Sequence, residues 1–202
     1  MAVLMFDELK IVLEVIALVM AISVLFVSYK GYSETKRPVF ARLSLAFISL
    51  SVNFILLFFA DVLVIFGFTV FYGYLQIGAS FFEMMGFFFL AFSHMVKASQ
   101  EKKFAGLSLF IFNPAAAFEA LSIFFISYAT LETMISYHMN RSKIVLTTAL
   151  GLMSFGVQSV LSWIAEFVSN PMFYQIFSLI FQIIGIIAFS LPIWIYYRGA
   201  KS

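Results

Sequence analysis

The chain has 202 residues, of which 63% are hydrophobic and 11% charged, against the roughly half and quarter usual for a soluble domain. That balance excludes a soluble domain and points to an integral membrane protein, with the cytoplasmic membrane of a prokaryote as the expected location. A net charge of +2 in short basic clusters excludes a nucleic-acid partner, and the absence of Cys excludes disulfides and thiolate-bound metals.

Asp7 and Glu8 stand where a signal peptide carries basic residues, so the first apolar run is expected to be retained. That run, Ile11 to Tyr29, has Glu14 as its sole charge and is long enough to cross a hydrocarbon core of roughly 30 Å. Lys30, Lys36, Arg37 and Arg42 around Pro38 predict a basic loop, because Pro disfavours continuation of the preceding helix. A second helix is predicted over Leu43 to Phe66, a Gly-containing turn over Gly67 to Gly73, and a third helix over Tyr74 to Met95. Phe104 to Pro114 is a short apolar run. Further helices are predicted over Ala115 to His138, Ile144 to Val168 and Met172 to Tyr197, the last with Pro192 as a kink.

Charge decides whether Phe104 to Pro114 crosses. If it does, eleven of the twelve Lys and Arg fall on one side and Lys10 stands alone opposite; if not, the division is seven against five. Basic residues gather on cytoplasmic loops. The expected fold is therefore an all-α bundle of seven transmembrane helices, with the amino terminus outside and the carboxyl terminus inside.

An internal echo supports this count. Glu14 to Asp61 and Glu119 to Glu166 align at an offset of 105 residues, with seven of 48 positions identical, and the rare polar residues coincide. Glu14 meets Glu119, Tyr32 meets Tyr137, Asn53 meets Gln158, and Asp61 meets Glu166. At an offset of 99 the echo continues: Gln76 meets Gln175, Glu83 meets Gln182, and Gly86 meets Gly185. The chain is read as one membrane domain of two parallel three-helix repeats, about 11–97 and 115–198, joined by the short fourth helix at 104–114. This plan is similar to that of the SWEET carriers and related PQ-loop proteins, which are parallel repeats joined by a linker helix. The prolines are Pro38, Pro114, Pro171 and Pro192, and no Pro-Gln pair occurs, so no family is assigned. A microbial rhodopsin is excluded by the lack of Lys in the last helix.

The predicted spans contain Glu14, Asp61, Glu83, Glu119, Glu132 and Glu166 and no basic residue. A carboxylate in low dielectric takes up a proton or holds a cation or water. Glu14, Asp61, Glu119 and Glu166 are expected to ring the outer mouth, and Glu83, Asn53, Gln158 and Gln182 to lie near mid-depth. Gln76 and Glu83, like Gln175 and Gln182, are seven residues apart and share a helical face. The structural alternative is that the outer acids sit in first helical turns, favoured by the macrodipole, and that the amides only join helices. Glu132, near Thr130, Thr133 and Ser136, either extends the polar path or bonds those hydroxyls. His94 and His138 lie at inner helix ends and suggest neither haem nor metal. No catalytic motif is present, so neither an enzyme nor a cofactor is expected.

These features predict a small transporter or channel-like protein whose acids bind protons or a small cationic or polar solute. The alternative is a non-transport sensor or an accessory subunit of a membrane complex. Expected partners are the lipid bilayer, the solute, and either complex subunits or further copies of the chain.

Overall fold

The computed structural model describes residues 2–95, 113–169 and 171–199. Among them there is no strand. Six α-helices follow one another: α1 Ala2–Thr35, α2 Pro38–Ile65, α3 Tyr72–Met95, α4 Pro114–Asn140, α5 Lys143–Ala165 and α6 Met172–Gly199. All six are long and apolar enough to cross a membrane. Of the predicted fourth helix, 104–112 lie outside the described residues; Asn113 caps α4 and Pro114 opens it.

The basic loop is far tighter than its residues suggested. Helix α1 runs on through Lys30 to Thr35, and α2 already begins at Pro38, so only Lys36 and Arg37 lie outside helix. The physical reason is that nothing before Pro38 breaks the helix. It ends where Lys36 adopts a left-handed conformation (φ 56°) and its amide donates to the Tyr32 carbonyl at 2.8 Å. Pro38 then takes the first helical position, where its missing N–H costs nothing. The α4–α5 turn is built alike: Arg141 has φ 51° and donates to the Tyr137 carbonyl at 2.7 Å. The residues that follow, Arg37 and Ser142, have φ/ψ of −77°/128° and −77°/129°. Helix α6 continues through Pro192 to Gly199.

Each helix packs on its neighbours in sequence, and α6 closes on α1, so the bundle is a six-membered ring. Contacts fix the directions. Gly31 on Phe40 and Lys10 on Asp61 make α1 and α2 antiparallel; Gly86 on Leu50 and Gly78 on Leu56 do the same for α2 and α3. Between α3 and α4, Phe81 meets Phe118 and Phe88 meets Phe125, both at 5.4 Å. Seven residues onward on one helix is seven onward on the other, so α3 and α4 run parallel. Helices α5 and α6 are antiparallel, with Ser162 beside Ser178 and Gly151 beside Phe189. It follows that α1 and α6 also run parallel. One end of the ring, where α1, α3, α4 and α6 begin, is here termed the acidic end, and the other the basic end. Met95 closes α3 at the basic end, whereas Asn113 precedes α4 at the acidic end.

The apolar core lies towards the basic end. Phe47, Leu50, Phe87, Leu90, Leu152, Phe155, Ile186 and Phe189 belong to one buried cluster. Four of their rings form a chain: Phe87 to Phe155 at 5.4 Å, Phe155 to Phe189 at 6.5 Å, and Phe189 to Phe47 at 6.1 Å. Two glycines let the helices close over it. A Cβ on Gly185 would stand 2.8 Å from Phe155 Cδ1 and 3.2 Å from the Gly151 carbonyl oxygen. A Cβ on Gly86 would stand 2.9 Å from Leu50 Cγ and 3.3 Å from the Ala46 carbonyl oxygen. Gly185→Ala is therefore expected to cost about 1–3 kcal/mol by overpacking, measured by unfolding in mixed micelles; an unchanged unfolding midpoint would refute the tight approach.

Candidate functional site

Between this core and the acidic end lies a cavity of about 70 Å³ to which all six helices contribute. By volume it has room for a handful of waters or one small ion. Helix α3 supplies Gln76, Ser80 and Glu83, on the shared face that their spacing implied. Helix α6 supplies Gln175, Ser178 and Gln182 in the same manner. Asn53 comes from α2, Gln158 and Ser162 from α5, Glu14 from α1 and Glu119 from α4.

The deepest polar layer is formed by Glu83, Asn53, Gln158 and Gln182, at most 4% exposed. Gln158 Nε2 donates to Glu83 Oε1 at 2.8 Å, and Ser178 Oγ donates to the Gln158 carbonyl at 3.2 Å while pairing with Ser162 Oγ at 2.8 Å. Asn53 differs: neither its amide oxygen nor its amide nitrogen has a protein partner, and Gln182 Nε2 has none either. A buried, unpaired amide group is costly, on the order of 1–3 kcal/mol. These atoms thus retain binding capacity directed into the cavity.

The outer acids do not form a single ring. Asp61, within α2, and Glu166, which caps α5, stand nearer the acidic end, while Glu14 and Glu119 lie deeper and are buried. No helix carries an acid in its first turn among those whose termini are described. Glu14 comes about three turns into α1, because that helix starts well before Ile11, and Glu119 is in the second turn of α4. The macrodipole therefore does not account for these two residues.

Each side of the mouth has its own set of donors. Lys10 Nζ lies 2.9 Å from Asp61 Oδ1, 2.8 Å from Asp61 Oδ2 and 3.8 Å from Glu14 Oε1. Opposite, Gln76 Nε2 donates to Glu166 Oε1 at 2.7 Å, and Asn113 Nδ2 donates to Glu166 Oε2 at 3.1 Å. Glu119 lies against Ser80 and near Glu83, with its Oε2 unpartnered. Lys10 is the one basic side chain among the described residues lining the cavity. Four carboxyl groups, those of Glu14, Glu83, Glu119 and Glu166, line the cavity with it.

Lys10, Asn113 and Ser178 were not recognised from sequence. The predicted first helix begins at Ile11 and leaves Lys10 outside it, yet Lys10 is helical and 8% exposed. Its spacing of four from Glu14 was the available signal. Glu132, for which the sequence leaves two readings, is not among the residues lining the cavity. Thr130 and Thr133 bond the carbonyls of Ile126 and Ala129 in their own helix, and Glu132 instead receives the Tyr128 hydroxyl. His138 is in the last turn of α4, exposed; the side chain of His94 is outside the described set. Among the described residues, no three His, Asp or Glu side chains stand close enough to share a metal ion.

Comparison with protein-family models, with curated proteins and with solved structures finds no match for this chain.

Proposed function

We propose that the chain is a small integral-membrane transporter that binds protons or a small cation in the cavity above Glu83. The observation that carries this reading is the union of buried acid and unpaired amide in one cavity. Glu83, Glu119 and Glu14 bring carboxyl groups to mid-depth, and Asn53 and Gln182 bring hydrogen-bonding atoms that no protein group satisfies. The cavity leads toward the acidic end, and the phenylalanine-rich core closes the basic end. A carrier closed on one side has this arrangement, and alternating access is movement of one three-helix unit against the other.

The reading includes seven helices in a 3+1+3 plan. The parallel course of α3 and α4, with Met95 at the basic end and Asn113 at the acidic end, supports it. The two tight turns with matched dihedral angles support duplicated units. So do Gly86 and Gly185, each set against the equivalent residues of the preceding helix, Ala46 with Leu50 and Gly151 with Phe155. With Lys36, Arg37, Arg141 and Lys143 at the basic end, that end faces the cytoplasm. The membrane is taken to be the cytoplasmic membrane of a prokaryote.

One observation favours a second reading, an accessory subunit. Gln158 already supplies Glu83 with a donor, which is part of the seal that a purely structural acid requires. Cysteine accessibility on the Cys-free chain separates the two. In sealed vesicles, position 69 is expected to label from one side and positions 100 and 140 from the other, with 83 and 182 reached by a small aqueous reagent. Silence at 83 and 182 would favour the subunit, and labelling of 140 on the same side as 69 would overturn the parallel plan.

A further inference from the structure

Lys10 is a charged amine inside a membrane-embedded site, and its surroundings describe what such a group needs there. Its ammonium is taken by Asp61 at 2.8 and 2.9 Å, with Glu14 at 3.8 Å. At the 105-residue offset, Glu14 falls on Glu119 and Asp61 on Glu166, but Lys10 falls on Ala115. The second half keeps both acids and lacks the amine: Gln76 and Asn113 take the two oxygens of Glu166, which leaves Glu119 as the open acid. Ala115 and Glu119 are 4% and 5% exposed, and Glu119 Oε2 has no partner.

Asn53 is an independent pointer to a ligand. It is 1% exposed, lines the same cavity, and leaves its amide oxygen free to accept from an N–H donor. An R–NH3+ group provides three such donors around a compact charge. We propose that the Glu119 side of the cavity receives the ammonium group of a small primary amine, and that Lys10 is a tethered equivalent filling the first of two related seats. This names the solute class of the cavity and rests on the transporter reading with its duplicated halves. Methylammonium is the smallest alkyl member of that class and serves as the probe.

The test uses the full chain in nanodiscs, titrated calorimetrically with methylammonium chloride. Sodium and tetramethylammonium chlorides at equal ionic strength supply charge without N–H donors. The expected result is about one methylammonium per chain, in clear preference to both controls. Ala115→Lys places a second tethered amine and should weaken methylammonium binding by about tenfold or more, the scale of one charge-assisted contact. If that variant does not fold, Glu119→Gln should show the same loss. Lys10→Ala should raise the stoichiometry to about two, and methylammonium should restore its thermal stability where sodium does not. No preference over the controls, or unchanged binding in the Ala115→Lys or Glu119→Gln protein, overturns the inference. If methylammonium fails to bind while a Glu83-dependent proton or cation flux persists, this inference falls and the transporter reading stands. Binding without flux leaves the inference and removes transport.

Discussion

In proteoliposomes, Glu83→Gln is expected to abolish cation-coupled or proton flux while the protein remains folded. The carboxyl is buried in the middle of α3, and the substitution keeps its volume while removing the group that carries charge or proton. Loss of one partner of a desolvated, hydrogen-bonded charge contact costs on the order of 2–5 kcal/mol, which is roughly thirtyfold to several thousandfold in binding. Gln158 can turn its amide to accept from the new side chain, so stability should hold. The measurement is solute-dependent fluorescence quenching by a trapped pH dye, with unfolding in mixed micelles alongside. Full flux in a folded Glu83→Gln protein would remove this residue from the centre of the mechanism.

The second large effect is expected at Phe155. Its ring is fully buried, touches Phe87 and Phe189, and occupies the space that Gly185 leaves open. Phe155→Ala should destabilise the bundle by about 3–5 kcal/mol. It should also create a leak. Between the polar layer at Gln158 and the basic end stands this aromatic closure, and removing one ring connects the cavity to the far side. A passive proton leak through Phe155→Ala vesicles, absent in the parent, is the expected reading. A destabilised but proton-tight variant would show that the rings pack the bundle without serving as its gate.

The helices were legible in the sequence because uninterrupted apolar runs bounded by charge or Pro leave little choice. Their ends were less so. Lys30 was read as the start of a loop, but a basic residue at a membrane surface does not end a helix; the left-handed Lys36 and the following Pro38 do. The same habit concealed Lys10. Treated as the edge of a span, it could not be seen as the partner of Asp61, fifty-one residues away.

Periodicity found the α3 and α6 faces of the site, since Gln76 with Glu83 and Gln175 with Gln182 do line it. Applied to α4, it would have set Glu132 aside: thirteen residues beyond Glu119 is roughly 220° around a helix from the same face. What no pattern could supply was depth. The sequence predicts a single ring of outer acids because it measures each from an assumed helix start, and only packing shows Glu119 against Ser80.

The buried cluster below the cavity has a further consequence. Under the two offsets, Phe47 corresponds to Leu152, Leu50 to Phe155, Phe87 to Ile186 and Leu90 to Phe189. Every pair joins one phenylalanine to one aliphatic residue. The rings meet across the bundle, Phe47 on Phe189 and Phe87 on Phe155, so that each bulky side chain faces one from the other half of the chain. Neither half of the chain fills this core alone, so a change at Phe87 is answered first at Phe155.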